Sequence, residues 1–158
     1  MNLEWSFRKK CIFHTKDKLN FERLNDMETN LKIGMNNVIE SQSTEKTTAL
    51  TMKSGSLKVL ATPAMMCLME QAAAELVEKN LPEDSTSVGI SISVEHKAPT
   101  PIGLKIKAEA IITNIDGRKI SFEVKAFDES DEIGSGTHER FVVNKEKFQN
   151  KANSKLHF

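Results

Sequence analysis

The run from Val59 to Ala74, VLATPAMMCLMEQAAA, is apolar around its whole circumference if helical, and Glu70 is its sole charge between Lys58 and Glu75. A helix with no polar face does not lie on a surface, so the rest of the chain has to wrap it. An ionised carboxylate in such surroundings is costly unless something pairs with it or uses it, which makes Glu70 a candidate working group. Thr62 followed by Pro63 reads as N-cap plus first helical residue, because the hydroxyl can accept an orphan amide and proline lacks the N–H that would go unpaired. Asn80, Pro82 and Asp84 bring turn chemistry, which ends the helix near Lys79.

What remains to do the wrapping is strand. Leu31 to Thr44 has strand character and Thr44 to Lys58 is a polar, Ser/Gly-containing loop. After the helix, Val88, Ile90, Ile92 and Val94 alternate with small or polar residues until Pro99 and Pro101 break the strand. Leu104, Ile106, Ala108, Ala110 and Ile112 alternate in the same way. Asp116-Gly117 is a hairpin turn that returns the pattern through Ile120, Phe122, Val124 and Ala126. Ile133 to Val143 is the last strand, and Lys145 to Phe158 reads as a polar tail, of which 151–158 lies outside the domain. One strand, a long buried helix and four antiparallel strands give an α+β class and the hotdog arrangement, a curved sheet around one central helix.

The domain is expected over residues 27–150. Residues 1–26 show no sustained period and interleave basic with acidic side chains, so they are expected to be an appendage. The chain has 158 residues, enough for one real core, and its 22 basic residues balance 22 acidic ones. That balance speaks against nucleic acid or an anionic membrane as the main partner. Of two cysteines, Cys11 and Cys67, the second falls inside the apolar helix as a small hydrophobe, and a cytoplasmic location follows as the simpler expectation. No apolar stretch reaches the roughly 18–20 residues that a membrane span requires.

Further residues join Glu70. His96 continues the alternation of Val88 through Val94, so it is expected to face the helix and the surroundings of Glu70. Each has a plainer reading alone: a histidine on an apolar face is often a hydrogen-bonded core residue, Thr62 only a cap, and Glu70 half of a structural ion pair. The convergence of hydroxyl, carboxylate and imidazole on one helix is harder to explain by packing. Three motifs then carry a resemblance over about residues 31–150: Val59-Leu-Ala-Thr-Pro-Ala-Met-Met-Cys-Leu-Met-Glu70, Val94-Glu-His96 with Ala98-Pro-Thr-Pro-Ile-Gly103, and Asp131-Glu-Ile-Gly-Ser-Gly-Thr-His-Glu-Arg140. In this order they resemble the fluoroacetyl-CoA thioesterase-like family of hotdog thioesterases.

The resemblance implies that Thr62, Glu70 and His96 are the catalytic set, with Gly89 and Arg140 on the substrate. It implies hydrolysis of acyl-CoA thioesters by a homodimer, extendable to a dimer of dimers, with no metal and no organic cofactor. Members specialised for fluoroacetyl close the acyl pocket with phenylalanines before the helix; this chain has Thr51-Met-Lys-Ser-Gly-Ser-Leu-Lys58 there, so a general short-chain acyl-CoA hydrolase is expected. In that chemistry His96 is the general base, Glu70 its orienting carboxylate or the nucleophile, and Thr62 a polar group at the helix N-terminus, where free amides meet the thioester oxygen. By residue type alone Gly89 is equally a strand bulge, and Arg140 is a solvated cation or a partner for Glu70 or a phosphate. Thr62 and Glu70 are eight residues apart, about 12 Å along a helix, so a site that uses both is expected to span two chains. A non-catalytic acyl-CoA-binding protein and a hotdog enoyl-CoA hydratase are the alternatives.

Overall fold

The computed structural model describes residues 29–157. Strand β1 (Asn36–Gln42) leads through a loop with a short 3-10 turn, Glu45–Thr47, to helix α1 (Thr62–Glu78). Strands β2 (Ser85–His96), β3 (Lys105–Asp116), β4 (Lys119–Phe127) and β5 (Glu132–Asn144) follow, and helix α2 (Lys145–Asn153) runs into a second 3-10 turn. All pairings are antiparallel in one sheet of order β1-β3-β4-β5-β2, which leaves β1 and β2 as the edges. α1 rests across the sheet, against β1, β2 and β3 most heavily. This is the expected α+β hotdog arrangement. The proposed appendage, residues 1–26, lies outside the described residues.

The hairpin between β3 and β4 turns at Gly117, whose φ of 55° lies in the left-handed region that glycine enters without steric cost. Ile106, Ala108, Ala110 and Ile112 from β3 and Ile120, Phe122, Val124 and Ala126 from β4 are all buried. They meet Met65, Met69, Ala72, Ala73, Leu76 and Val77 of α1. The Ile, Val, Leu, Phe and Met side chains among them contribute about 1.5–3 kcal/mol each when fully buried, so this double row holds the helix on the sheet.

Four expectations need correction. α1 is not enclosed: Pro63, Cys67, Gln71 and Glu78 are exposed, and Met66, Glu70 and Ala74 only half-buried, because one sheet covers one side of a cylinder. Cys67 is thus a free, exposed thiol rather than a core hydrophobe. The alternation in β2 is also broken. Gly89 pairs with Arg140 and Ser91 with Glu139, so Ile90 is an extra, bulged residue and is 51 % exposed. Gly89 and His96 are seven residues apart, an odd spacing that would set them on opposite faces, and the bulge restores them to one. Val88 consequently faces away, paired with Phe141, while Ser85 and Ser87 are buried. Finally, the polar tail begins as helix α2, because the Asn144 side chain accepts the Lys147 amide at 3.1 Å and caps it.

Candidate active site

Two groups of polar side chains lie along the same face of β2, two turns of α1 apart. The first forms at the start of the helix. Thr62 is the first helical residue rather than its cap; Ala61 takes the cap position without a side-chain bond, and Pro63 fills the next place. Freed from capping, the Thr62 hydroxyl lies 2.9 Å from Nδ1 of His96, at the far end of β2. The other ring nitrogen, Nε2, is buried and has no hydrogen-bond partner among the described residues. In either tautomer it is an orphan: an N–H with no acceptor if Thr62 donates to Nδ1, a free lone pair if Nδ1 donates to Thr62.

The second group surrounds Glu70. A Cβ placed on Gly89 would lie 2.7 Å from Oε1 of Glu70, 3.2 Å from Cε1 of His138 and 3.8 Å from a terminal nitrogen of Arg140. Three polar side chains therefore converge on backbone that only glycine leaves open. Arg140 is buried, contrary to the reading of it as a solvated strand cation. Its Nε donates to Oγ of Ser87 and Nη2 to the Ser87 carbonyl, both at 2.9 Å, and Nη1 reaches Nε2 of His138 at 3.3 Å. Among the described residues no ion pair joins it to Glu70. Burial pulls the Arg140 guanidinium below its ordinary value, with Glu70 and Glu78 opposing, and it remains a cation.

The protonation of His138 follows from its partners. Nδ1 lies 2.7 Å from the Ser91 carbonyl, which can only accept, so Nδ1 carries the proton. Arg140 can only donate, so Nε2 receives that bond as a lone pair. Both bonds together require the neutral imidazole, and burial also lowers its affinity for a second proton. The ring stacks on Phe122, centroids 6.0 Å apart, beneath the sheet face. Glu70 Oε1 stands 3.9 Å from Nε2, beyond hydrogen-bonding range, so with a neutral ring the two are neighbours rather than an ion pair.

Thus the structure unites Thr62 with His96, and Glu70 with Gly89 and Arg140, but it does not bring His96 to Glu70 within one chain. The cause is geometric: β2 runs opposite to α1, so His96 meets the helix at its first residue and Gly89 meets it two turns on. His138 and Ser87 were missed by sequence reasoning. The spacing of His138 and Arg140, two apart on one strand, was the available signal. On the other flank of α1, Met52, Leu60, Ala64, Leu68 and Ile106 line an apolar crevice of about 210 Å³.

A family profile for fluoroacetyl-CoA-specific thioesterases matches residues 43–146. The chain is 43 % identical over 98 residues to the fluoroacetyl-CoA thioesterase of Streptantibioticus cattleyicolor, covering 62 % of this chain and 70 % of that protein. A solved fluoroacetyl-CoA thioesterase superposes with a TM-score of 0.76 at 33 % identity, over 80 % of this chain and 98 % of the other. A hot-dog-like protein from Thermanaerovibrio acidaminovorans shares the fold alone, with a TM-score of 0.73 at 23 % identity, over 86 % and 96 % of the two chains. With the three motifs on the strands and helix where that architecture needs them, this chain belongs to the fluoroacetyl-CoA-specific thioesterase family of hotdog thioester hydrolases.

Proposed function

We propose that this protein hydrolyses short-chain acyl-CoA thioesters to the free acid and CoA, with Thr62, Glu70 and His96 as catalytic residues. The observation that carries the assignment of residues is the buried, unpartnered Nε2 of His96 behind a Thr62 hydroxyl at the N-terminus of α1. Packing alone does not account for a polar atom left in that state. The helix terminus offers unpaired amides and the positive end of the helix dipole to the thioester oxygen. In one route His96 takes a proton from a water that adds to the carbonyl carbon, the C–S bond breaks and that proton passes to the leaving thiolate. In the other the Glu70 carboxylate adds, the C–S bond breaks to leave an acyl–glutamyl anhydride, and water opens the anhydride to the acid and the carboxylate while one of the water's protons goes to the thiolate. Gly89 and Arg140 form the floor beside Glu70, where the guanidinium meets acyl or phosphate oxygens.

The site is completed by a second copy. In one chain His96 lacks the carboxylate that would orient it, while the half-open face of α1 carries Glu70, Met66 and Ala74 to the surface. Across a twofold axis, Glu70 of the partner subunit can approach His96, and each homodimer then holds two shared sites. A dimer of dimers is compatible with this assembly. A free thiol at Cys67 fits a reducing cytoplasm. Among the described residues no helix is long and apolar enough to cross a membrane.

The Thr51–Lys58 segment presents Met52 and Leu57, not phenylalanine, so the acyl range should be broad. Acetyl-, propionyl-, butyryl- and fluoroacetyl-CoA, each followed with a thiol-reactive dye, test both points. Release of CoA from several of them at comparable kcat/KM is expected. A several-hundredfold preference for fluoroacetyl would overturn the broad range, and binding without CoA release would make the protein a non-catalytic acyl-CoA binder.

A further inference from the structure

His138 takes no direct part in the chemistry above, yet it touches everything around Glu70. It is fully buried, its Nδ1–H is spent on the Ser91 carbonyl at the β2 bulge, and its Nε2 stands between the Arg140 guanidinium at 3.3 Å and the Glu70 carboxylate at 3.9 Å. Arg140 has its other nitrogens anchored on Ser87, so Nη1 is the one free to choose an acceptor. The carboxylate that shares the opening over Gly89 with that nitrogen is Glu70, and charge-assisted bonds to carboxylates outcompete neutral ones. We propose that His138 is a positioning residue: by accepting the Nη1–H, it keeps Arg140 from closing onto Glu70 and so leaves the carboxylate free for the acyl group.

The proposal rests on the reading of Glu70 as a working carboxylate and adds how it is kept available. Without the imidazole acceptor, a buried N–H would go unpaired, which is costly, and the guanidinium would turn to the nearest oxygen. Glu70 would then be held in a salt bridge, with its lone pairs occupied. The charged and titratable groups involved are Glu70 and Glu78 from α1 and His138, Glu139 and Arg140 from β5. β2 faces them with Ser87, Gly89 and Ser91, and β4 with Phe122, none of which titrates in the working range.

Two substitutions separate the ring nitrogens. His138→Asn retains a donor near the Nδ1 position for Ser91 and removes the acceptor for Arg140; His138→Gln returns an acceptor near the Nε2 position. With acetyl-CoA as substrate, His138→Asn is expected to lower kcat by roughly tenfold or more and leave KM within about twofold, while His138→Gln recovers most of kcat. Unchanged kcat in His138→Asn would overturn the proposal. So would equal losses in both variants that track their melting temperatures, since that is the mark of a structural histidine. If both variants fail to fold, or the wild type releases no CoA, the decision falls to imidazole nitrogen NMR shifts of the wild-type protein between about pH 5 and 8. A neutral ring protonated at Nδ1 and hydrogen-bonded at Nε2 throughout sustains the proposal; an imidazolium in that range overturns it. A wild type without CoA release defeats the hydrolase reading, whereas an active wild type with an indifferent His138→Asn defeats only this one.

Discussion

The two ends of α1 differ in how complete they are. At Thr62 and His96 one hydrogen bond is made and one buried nitrogen is left without a partner. Around Glu70 the opposite holds: Arg140, His138, Ser87 and the Ser91 carbonyl satisfy one another, and the carboxylate alone remains uncommitted and half-exposed. One region is missing a component and the other has a component to spare. In the proposed function the two ends come together from two copies of the chain, and each end is open to a separate experiment.

The largest effect should come from removing the spare component. Glu70→Gln keeps the shape and deletes the charge, and His96→Ala deletes the incomplete ring; each should lower kcat by about 10²–10⁴-fold with little change in melting temperature. A Glu70→Gln protein that melts far lower, with normal activity in the folded fraction, would show a structural ion pair instead. Sharing between chains is tested next. Thr62→Ala and Glu70→Gln homodimers should both be nearly inactive, while heterodimers purified through two different tags should regain up to half of wild-type activity, because one of their two sites is intact. Heterodimers as inactive as their parents would place both residues in one chain's site.

A smaller effect is expected at the boundary between the regions. Gly89→Ala puts a methyl 2.7 Å from Glu70 Oε1 and 3.2 Å from Cε1 of His138, and the half-buried end of the glutamate side chain yields more easily than the buried ring. Activity should fall by roughly tenfold while stability changes by less than about 1 kcal/mol. A large loss of stability would show that the His138 contact cannot relax. The smallest effect concerns acid. Burial holds the folded His138 neutral, so the unfolded chain binds the extra proton below about pH 6.5. The unfolded state then carries more protons, and stability falls as pH drops through that window and levels off above it. Denaturant titrations of wild type and His138→Asn between about pH 7 and 5 should show a shallower decline in the variant.

The sequence made β3 and β4 legible almost residue by residue, because strict alternation over a flat stretch leaves only one way to bury Ile106 to Ile112 and Ile120 to Ala126. The same rule failed in β2, where an extra residue resets the count and local alternation cannot reveal it. Thr62 was found as a polar residue at the helix start, but its bond belongs to His96, 34 positions away, and capping preference speaks only of neighbours. The exposed stripe of α1 was read as core because composition reports how much surface must be covered, not which molecule covers it. His138 was hidden because its meaning lies in three partners from three strands, Ser91 of β2, Phe122 of β4 and Arg140 of β5. α2 carries no apolar rhythm and declares itself only through its Asn144 cap.

The bulge at Ile90 makes chain length, more than chain identity, the heritable requirement of this strand. Ile90 is half out in solvent and pairs with nothing across the ladder, so a range of side chains could replace it without disturbing either group. Its deletion is another matter: every residue from Ser91 to His96 would change sides, sending the imidazole outward and bringing Glu95 inward. Substitution and deletion at one position thus have opposite tolerances. In a lineage of such chains, position 90 is free to vary in spelling while the number of letters between Gly89 and His96 stays fixed.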